Sequence, residues 1–279
     1  MATGAGPQKL PKYAEPPVIE VVCGVLFKSI HGLLTPHFGL LWEKLRPEYS
    51  ECQEVAPLVP LIERFDELPE VELQLSDRPP LPRIWFLRTD GSIVQVQRDR
   101  FLYNWRKIQP EVDYPHYPEV IERFETYLSA FRVFLNEHNL GAVEPLQYEM
   151  TYVNHIPQGP AWASMREIGK VLPDFSWQTK SPSGHTARFL SAPERIDWRT
   201  SFMLSDTTSR LHVHMQMGQL PQTGLPVLRL ELTARGIGAT QSLDTMRQWF
   251  DFAHETIVRA FADLTSEQVQ RDVWKLRKD

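Results

Sequence analysis

One order of predicted elements occurs twice along this sequence, and that repetition constrains the fold more than any other feature. Each half begins with a strand, continues with a short helix and several alternating, strand-like segments, and ends in a long amphipathic helix. The first half covers residues 16–141 and the second covers residues 142–264. Residues 1–15 are predicted to be a disordered lead-in, and residues 265–279 to form a C-terminal helix.

The first half opens at residues 16–27, where β-branched side chains on both faces predict a central strand. Thr35 and Pro36 are suited to the N-cap and first turn of a short helix. Alternating segments follow an irregular, acidic stretch, and an Asp90-Gly91 turn between two of them predicts a hairpin. A long helix beginning at Tyr117 completes this half.

The second half repeats this order, with a strand at residues 146–152 and a short helix at residues 165–171. The strand-like segments that follow are residues 187–190, 199–204, 211–215 and 227–232, and the long helix is residues 243–264. The best local match between the halves aligns Val94-Gln95-Val96-Gln97 with Leu211-His212-Val213-His214. This match favours an internal duplication.

The predicted fold class is therefore α+β, with two strand, helix, antiparallel-sheet, helix units that form one curved sheet and carry their long helices on one face. This order resembles the saddle architecture of TATA-box-binding-like domains. A helix-grip fold, in which one sheet wraps around a C-terminal helix, is the alternative because a long helix after antiparallel strands suits it too.

Two short motifs, one near each end, resemble those of a sporadically distributed bacterial protein family. The N-terminal motif is Pro16-Pro17-Val18-Ile19-Glu20-Val21-Val22, and the C-terminal motif runs from Phe261-Ala262-Asp263-Leu264-Thr265 to Trp274. The resemblance implies one fold over the whole chain. It brings no catalytic residues with it.

Composition excludes several classes of protein. The 279 residues carry a formal charge of −5 and a pI near 6.0, which argues against general attraction to nucleic acid or anionic lipid. No apolar stretch approaches the roughly 20 residues of a membrane-spanning helix, and no signal-peptide pattern is present. Cys23 and Cys52 provide no disulfide framework and no C-x-x-C motif. We therefore expect a cytoplasmic protein with no membrane association, and its oligomeric state stays open.

Alternation places several polar side chains on one face of the predicted sheet: Gln95, Gln97, His212, His214 and Gln216. The His-x-His spacing would suit a metal ion. The equivalent positions in the first half are glutamines, however, and no third ligand lies at an informative spacing. We therefore predict a polar surface that binds a partner, with an ordinary solvated face as the alternative and no metal site.

Glu20 and Glu149 each lie inside an apolar strand, where a carboxylate needs a partner. The candidate partners are Arg229 and Arg235 in the second half and Arg83 and Arg88 in the first. We predict structural ion pairs, with a catalytic carboxylate as the alternative.

Cations and aromatic side chains interleave around residues 98–107, as in proteins that bind single-stranded nucleic acid. Strand alternation instead predicts that Phe101, Tyr103 and Trp105 pack against a helix while Arg100 faces solvent.

Near the C-terminus, Thr265 and Gln268 match a capping box. Trp274, after it, either packs onto the body or anchors a partner.

The usual nucleotide-binding and hydrolase motifs are absent from the sequence, so no cofactor and no catalytic residues are predicted. The leading hypothesis is a non-enzymatic binding or adaptor protein that recognises a macromolecule, in the first place a protein, through the sheet surface. One alternative is a nucleic-acid-binding saddle module. The other is a small-molecule receptor or enzyme of helix-grip type, which would require a cavity between the sheet and a long helix.

Overall fold

A computed structural model describes residues 9–65, 82–177, 189–190, 192–237 and 243–277. These residues contain nine strands joined in one sheet. The strands are β1 (Val18–Phe27), β2 (Glu51–Val55), β3 (Arg83–Leu87), β4 (Ile93–Gln97), β5 (Arg100–Arg106), β6 (Pro145–Pro157), β7 (Asp197–Met203), β8 (Ser209–Gln219) and β9 (Pro226–Gly236).

The order of strands across the sheet is β2-β3-β4-β5-β1-β6-β9-β8-β7, and the pairings between neighbours are antiparallel. β1 lies at the centre, paired with β5 on one side and β6 on the other. Its apolar side chains on both faces suit this position, as the sequence predicts. The α+β class is confirmed.

Five helices accompany the sheet in the described part of the chain. They are α1 (Thr35–Leu45), α2 (His116–Glu137), α3 (Ile168–Val171), α4 (Met246–Leu264) and α5 (Glu267–Asp272). None of them is both long enough and apolar enough to cross a membrane.

The two long helices pack against the same face of the sheet. Phe131 of α2 stacks on Phe101 at 5.4 Å between ring centroids, and Phe250 of α4 lies 6.0 Å from Tyr148. Phe101 and Tyr148 both pair with Val25 of β1, which places them side by side on one face. Burial of these rings supplies much of the core, and it leaves the opposite face to the polar side chains.

Several sequence predictions are corrected by the structure. The stretch after the first helix contains β2, an additional edge strand with mostly exposed side chains and therefore no alternating apolar pattern. Of the strand predicted at residues 187–190, Ala187 and Arg188 lie outside the described residues, and Phe189 and Leu190 form a bend and not a strand. Their side chains are exposed, so no sheet face requires them.

The C-terminal capping box is also wrong in its details. Ser266, not Thr265, is the N-cap of α5, and its hydroxyl accepts a hydrogen bond from the backbone N–H of Val269. Thr265 instead donates to the carbonyl of Phe261 at 2.7 Å, which closes the end of α4. The helix ends at Asp272, before Trp274.

Candidate functional site

The predicted polar side chains do share one face of the sheet, which we call the polar face. Strand register makes it continuous: Gln97 pairs with Arg100, Arg100 with Leu26, and Leu26 with Gln147. From β6 it extends through Glu149, Arg235 and Arg210 to the strand β8. On β8 the face presents His212, His214 and Gln216, opposite Thr233, Glu231 and Arg229 of β9.

A chain of hydrogen bonds crosses the first half of the polar face. Arg83 donates to Gln95 at 2.8 Å, Gln95 donates to Asn104 at 2.5 Å, and Asn104 donates to Glu20 at 2.6 Å. Four neighbouring strands, β3, β4, β5 and β1, each contribute one member. Gln95 and Asn104 are only 3% and 4% exposed, so the alternative of an ordinary solvated face does not describe this part of the sheet. A buried amide is retained because its polar atoms are paired.

Asn104, and not one of the predicted arginines, is the direct partner of Glu20. Burial raises the pKa of Glu20, and this outweighs the hydrogen bond from Asn104 and the attraction of Arg106 and Arg229. Of the predicted arginine partners, Arg88 instead binds Glu48 at 2.9 Å. Glu20 therefore anchors a structural network, as expected for a carboxylate within an apolar strand.

In the second half of the polar face, Arg235 donates to Glu149 at 2.5 Å, which is one of the predicted ion pairs. Arg235 also lies 3.9 Å from a second carboxylate, that of Glu63. Glu63 belongs to residues 56–65, the segment between β2 and the undescribed residues that precede β3. We call residues 56–65 the strap.

Glu63 lies in a socket of cationic and imidazole side chains. Its carboxylate lies 2.9 Å from the Arg210 guanidinium, 2.6 Å from His212 Nε2 and 3.9 Å from the Arg235 guanidinium. The Glu63 side chain is only 6% exposed. Burial alone would raise the pKa of Glu63, but the contacts with His212 and Arg210 outweigh it and lower the pKa. The ionised carboxylate is thus the form that the socket binds.

Two glutamines on the polar face hold the backbone of the strap. Gln97 accepts a hydrogen bond from the N–H of Leu58 at 2.9 Å and donates to the carbonyl of the same residue at 3.0 Å. Gln147 accepts from the N–H of Glu63 at 2.7 Å and donates to the carbonyl of Leu61 at 2.8 Å. Each amide therefore uses both its donor and its acceptor on main-chain groups.

The strap crosses six strands of the sheet, from Gln97 on β4 to His212 on β8. The backbone contacts of Leu58 with Gln97 on β4 and of Glu63 with Gln147 on β6 lie three strand spacings apart, about 14 Å. Five peptide steps span at most about 18 Å, so this part of the strap is largely extended. Apolar side chains of the strap face solvent: Leu58 is 37% exposed, Val59 66%, Leu61 52% and Ile62 47%.

The other two predicted residues of β8 lie beyond the strap contacts. His214 Nε2 lies 3.1 Å from the Asp197 carboxylate on the edge strand β7, and Gln216 is half-buried beside Arg229. His212 and His214 thus contact different carboxylates. Among the described residues, no three His, Cys, Asp or Glu side chains are grouped as ligands for a metal ion.

The Arg/aromatic segment differs from expectation in part, and Trp274 follows one of its two predicted alternatives. Phe101 and Tyr103 pack under α2, as predicted, but Arg100 is 6% exposed and bonded to Asp99 rather than solvated. Trp274 is 3% exposed and packs 4.9 Å from Phe261, inside the body and not at an interface.

Sequence reasoning did not identify Gln147, Glu63 or Arg210. Gln147 carries a readable signal, because it alternates with Glu149 on one strand and so shares the polar face. Glu63 carries no such signal, since the strap has no periodic pattern.

Comparisons of the chain with protein-family models, with curated proteins and with solved structures found no match. The geometry of the polar face is therefore the basis for a functional conclusion.

Proposed function

We propose that this protein is a non-enzymatic binding or adaptor protein that recognises a protein partner through the polar face. The part of the partner that is bound is an extended segment that bears a carboxylate. The observation that carries the proposal is the way the face holds its own strap. Gln97 and Gln147 bind main-chain groups of the strap, and Arg210 and His212 bind its Glu63.

Main-chain recognition explains how such a face could accept a partner segment. A side-chain amide that pairs with both an N–H and a C=O reproduces the hydrogen bonds of a neighbouring strand, independently of the side chains of the bound segment. The carboxylate socket adds selectivity, because charge-assisted hydrogen bonds are shorter and stronger than neutral ones. An acidic extended segment is the chemistry that satisfies both features.

The order of strands supports the duplicated arrangement that the sequence favours. Outward from the centre, β1 is followed by β5, β4, β3 and β2, and β6 by β9, β8 and β7. Gln95 and Gln97 on β4 thus correspond in position to His212 and His214 on β8. In our proposal two related units form a saddle-like sheet whose long helices cover one side, and the partner segment takes the place of the strap on the polar face.

The decisive experiment removes the strap from the polar face and supplies the same sequence as a separate peptide. Residues 58–63 are replaced by a Gly/Ser segment of equal length, and a fluorescein-labelled peptide with the sequence of residues 56–65 is titrated by fluorescence anisotropy. We expect saturable binding to the strap-replaced protein and at least about tenfold weaker binding to the intact protein, whose own strap competes. A peptide with glutamine in place of the glutamate is the matched control and should bind more weakly.

Two outcomes would reject the proposal. The first is a strap-replaced protein that unfolds cooperatively but shows no saturable binding of the peptide. The second is binding that is unaffected by Arg210→Ala on the strap-replaced background. Tighter binding of a single-stranded oligonucleotide than of the peptide, with a steep dependence on salt, would instead favour the nucleic-acid alternative.

A further inference from the structure

A cavity of about 490 Å³ lies on the helix-covered side of the sheet, away from the strap. Its walls come from four parts of the chain: the N-terminal segment with Tyr13, the start of β1, the turn into α2 with Tyr114 and His116, and the middle of α4 with His254 and Phe261. Tyr152 of β6 forms its floor. The volume is in the range of pockets that bind small organic molecules.

The polar groups of this cavity form one connected chain. The Tyr114 hydroxyl lies 2.8 Å from the Tyr152 hydroxyl, which in turn lies 2.9 Å from Nδ1 of His254. Within the part of the chain that the structure describes, the other ring nitrogen of His254, Nε2, has no hydrogen-bond partner. Burial lowers the pKa of His254 to about 4, so the imidazole is neutral at pH 7. A neutral imidazole offers one donor or one acceptor to a ligand.

Flat rings dominate the walls. The ring of Tyr117 stacks on His254 with 4.2 Å between centroids and an interplanar angle of 6°, and the Tyr117 hydroxyl donates to Asp251 at 2.5 Å. Tyr13 and Phe261 meet edge to face at 5.7 Å. His116, beside this stack, has a φ of 64°, a left-handed conformation that is uncommon for a residue with a side chain. Such backbone strain concentrates at ligand sites.

Two exposed cations line the cavity, although the whole chain carries a charge of −5. Lys12 and Arg277 line it and are joined by a backbone hydrogen bond of 2.8 Å from Arg277 to the carbonyl of Lys12. Neither side chain has an ion-pair partner among the described residues. No described residue that lines the cavity is an aspartate or a glutamate. The charged side chains that line the cavity therefore favour an anionic group.

We propose that this cavity is a binding site for an aromatic carboxylate, whose flat body lies among Tyr13, Phe261 and the Tyr117/His254 stack and whose carboxylate meets Lys12 and Arg277. Aromatic faces favour a flat ring over a flexible aliphatic chain. His254 Nε2 provides a single hydrogen bond to a polar substituent on the body of the ligand. This site is independent of partner binding at the polar face.

The experiment uses 2-naphthoate as the probe and isothermal titration calorimetry on the full chain. We expect saturable binding of 2-naphthoate, and binding at least about tenfold weaker for 2-naphthamide, which has the same rings without the charge. The double variant Lys12→Met with Arg277→Met should also weaken 2-naphthoate at least about tenfold. Its matched control, Lys9→Met with Lys275→Met, removes two cations of the same terminal segments that do not line the cavity and should bind normally.

Val258→Trp fills the cavity from α4 and should abolish binding while cooperative thermal unfolding is retained. If that variant does not fold, the NMR signal of the His254 ring provides the second measurement, because bound 2-naphthoate should shift it. The proposal is overturned if 2-naphthoate does not bind, if the His254 signal is unchanged at saturation, or if dodecanoate binds more tightly than 2-naphthoate.

Discussion

Glu63 of the strap and His212 of β8 are joined by a contact of 2.6 Å between a carboxylate oxygen and Nε2. Their positions in the sequence are 149 residues apart, so this contact ties an irregular segment of the first half to a strand of the second. It converts one end of the polar face from an open surface into an occupied socket.

Replacing Glu63 by glutamine should loosen the strap. The amide keeps the shape but removes the charge that Arg210 and Arg235 face, and we expect a loss of about 1–3 kcal/mol in the free energy of unfolding. Hydrogen exchange at residues 56–65 should accelerate while the core strands stay protected. Glu54→Gln, an exposed carboxylate on β2, is the control and should change neither property. Unchanged exchange in the strap of Glu63→Gln would contradict the anchoring role.

The two glutamines should act on different parts of the strap. Gln147→Leu removes the partner of the Glu63 N–H, and Gln97→Leu removes the partner of the Leu58 N–H. Residue-resolved hydrogen exchange should therefore show faster exchange at Glu63 in the first variant and at Leu58 in the second, with about 1–2 kcal/mol lost in each.

Gln216→Leu is the control for both variants, because Gln216 shares the polar face but makes no hydrogen bond with the strap among the described residues. It should leave the exchange of both amides unchanged. Equal acceleration throughout the strap in all three variants would indicate general destabilisation and not individual backbone contacts.

The elements with regular alternation or helical spacing could be predicted from the sequence. The helices α2 and α4 each bury one side, which leaves a helical period, whereas β1 is apolar on both faces and is recognised by its run of β-branched side chains. The hairpin of β3 and β4 is marked by its Asp90-Gly91 turn. β2 leaves no such pattern because it is a short edge strand whose side chains are mostly exposed. Its existence depends on pairing with β3, a contact that local sequence does not encode.

The polar face could be predicted in part. Alternation correctly places Gln97 and His212 on one face, but solvation does not follow from polarity, since Gln97 is 7% exposed beneath the strap. The strap itself contains prolines and apolar side chains without a period, so nothing local indicates what it contacts. Its position results from long-range pairs such as Glu63 with Arg210, which only the folded chain brings together.

Trp274→Ala tests the packing of this side chain onto the body, one of the two roles that the sequence leaves open. Its ring packs against Phe261 and Tyr13, and truncation of a buried tryptophan costs about 3–5 kcal/mol. We expect that loss in chemical denaturation, while peptide binding by the strap-replaced protein at temperatures where it is folded stays unchanged. A stable Trp274→Ala variant that loses peptide binding would return Trp274 to the interface.

His254 should make stability depend on pH in the mildly acidic range. Its pKa is about 4 in the folded protein and about 6.5 when exposed, because burial between Tyr117 and Tyr152 outweighs the attraction of Asp251 and Glu255. Above pH 6.5 the imidazole is neutral in both states and contributes no pH dependence. As the pH falls from 6.5 towards 4, only the unfolded chain takes up the proton, so folding is progressively disfavoured.

At pH 5 the titration of His254 should lower the free energy of unfolding of the wild-type protein by about 2 kcal/mol relative to pH 7.5. His254→Gln removes the titrating group, so the difference in unfolding free energy between variant and wild type should shift by that amount in favour of the variant. His31→Gln, an exposed imidazole, is the control and should follow the wild type. Urea denaturation at the two pH values measures the shift. A constant difference between wild type and His254→Gln would mean that His254 titrates alike in both states, as a solvated imidazole would.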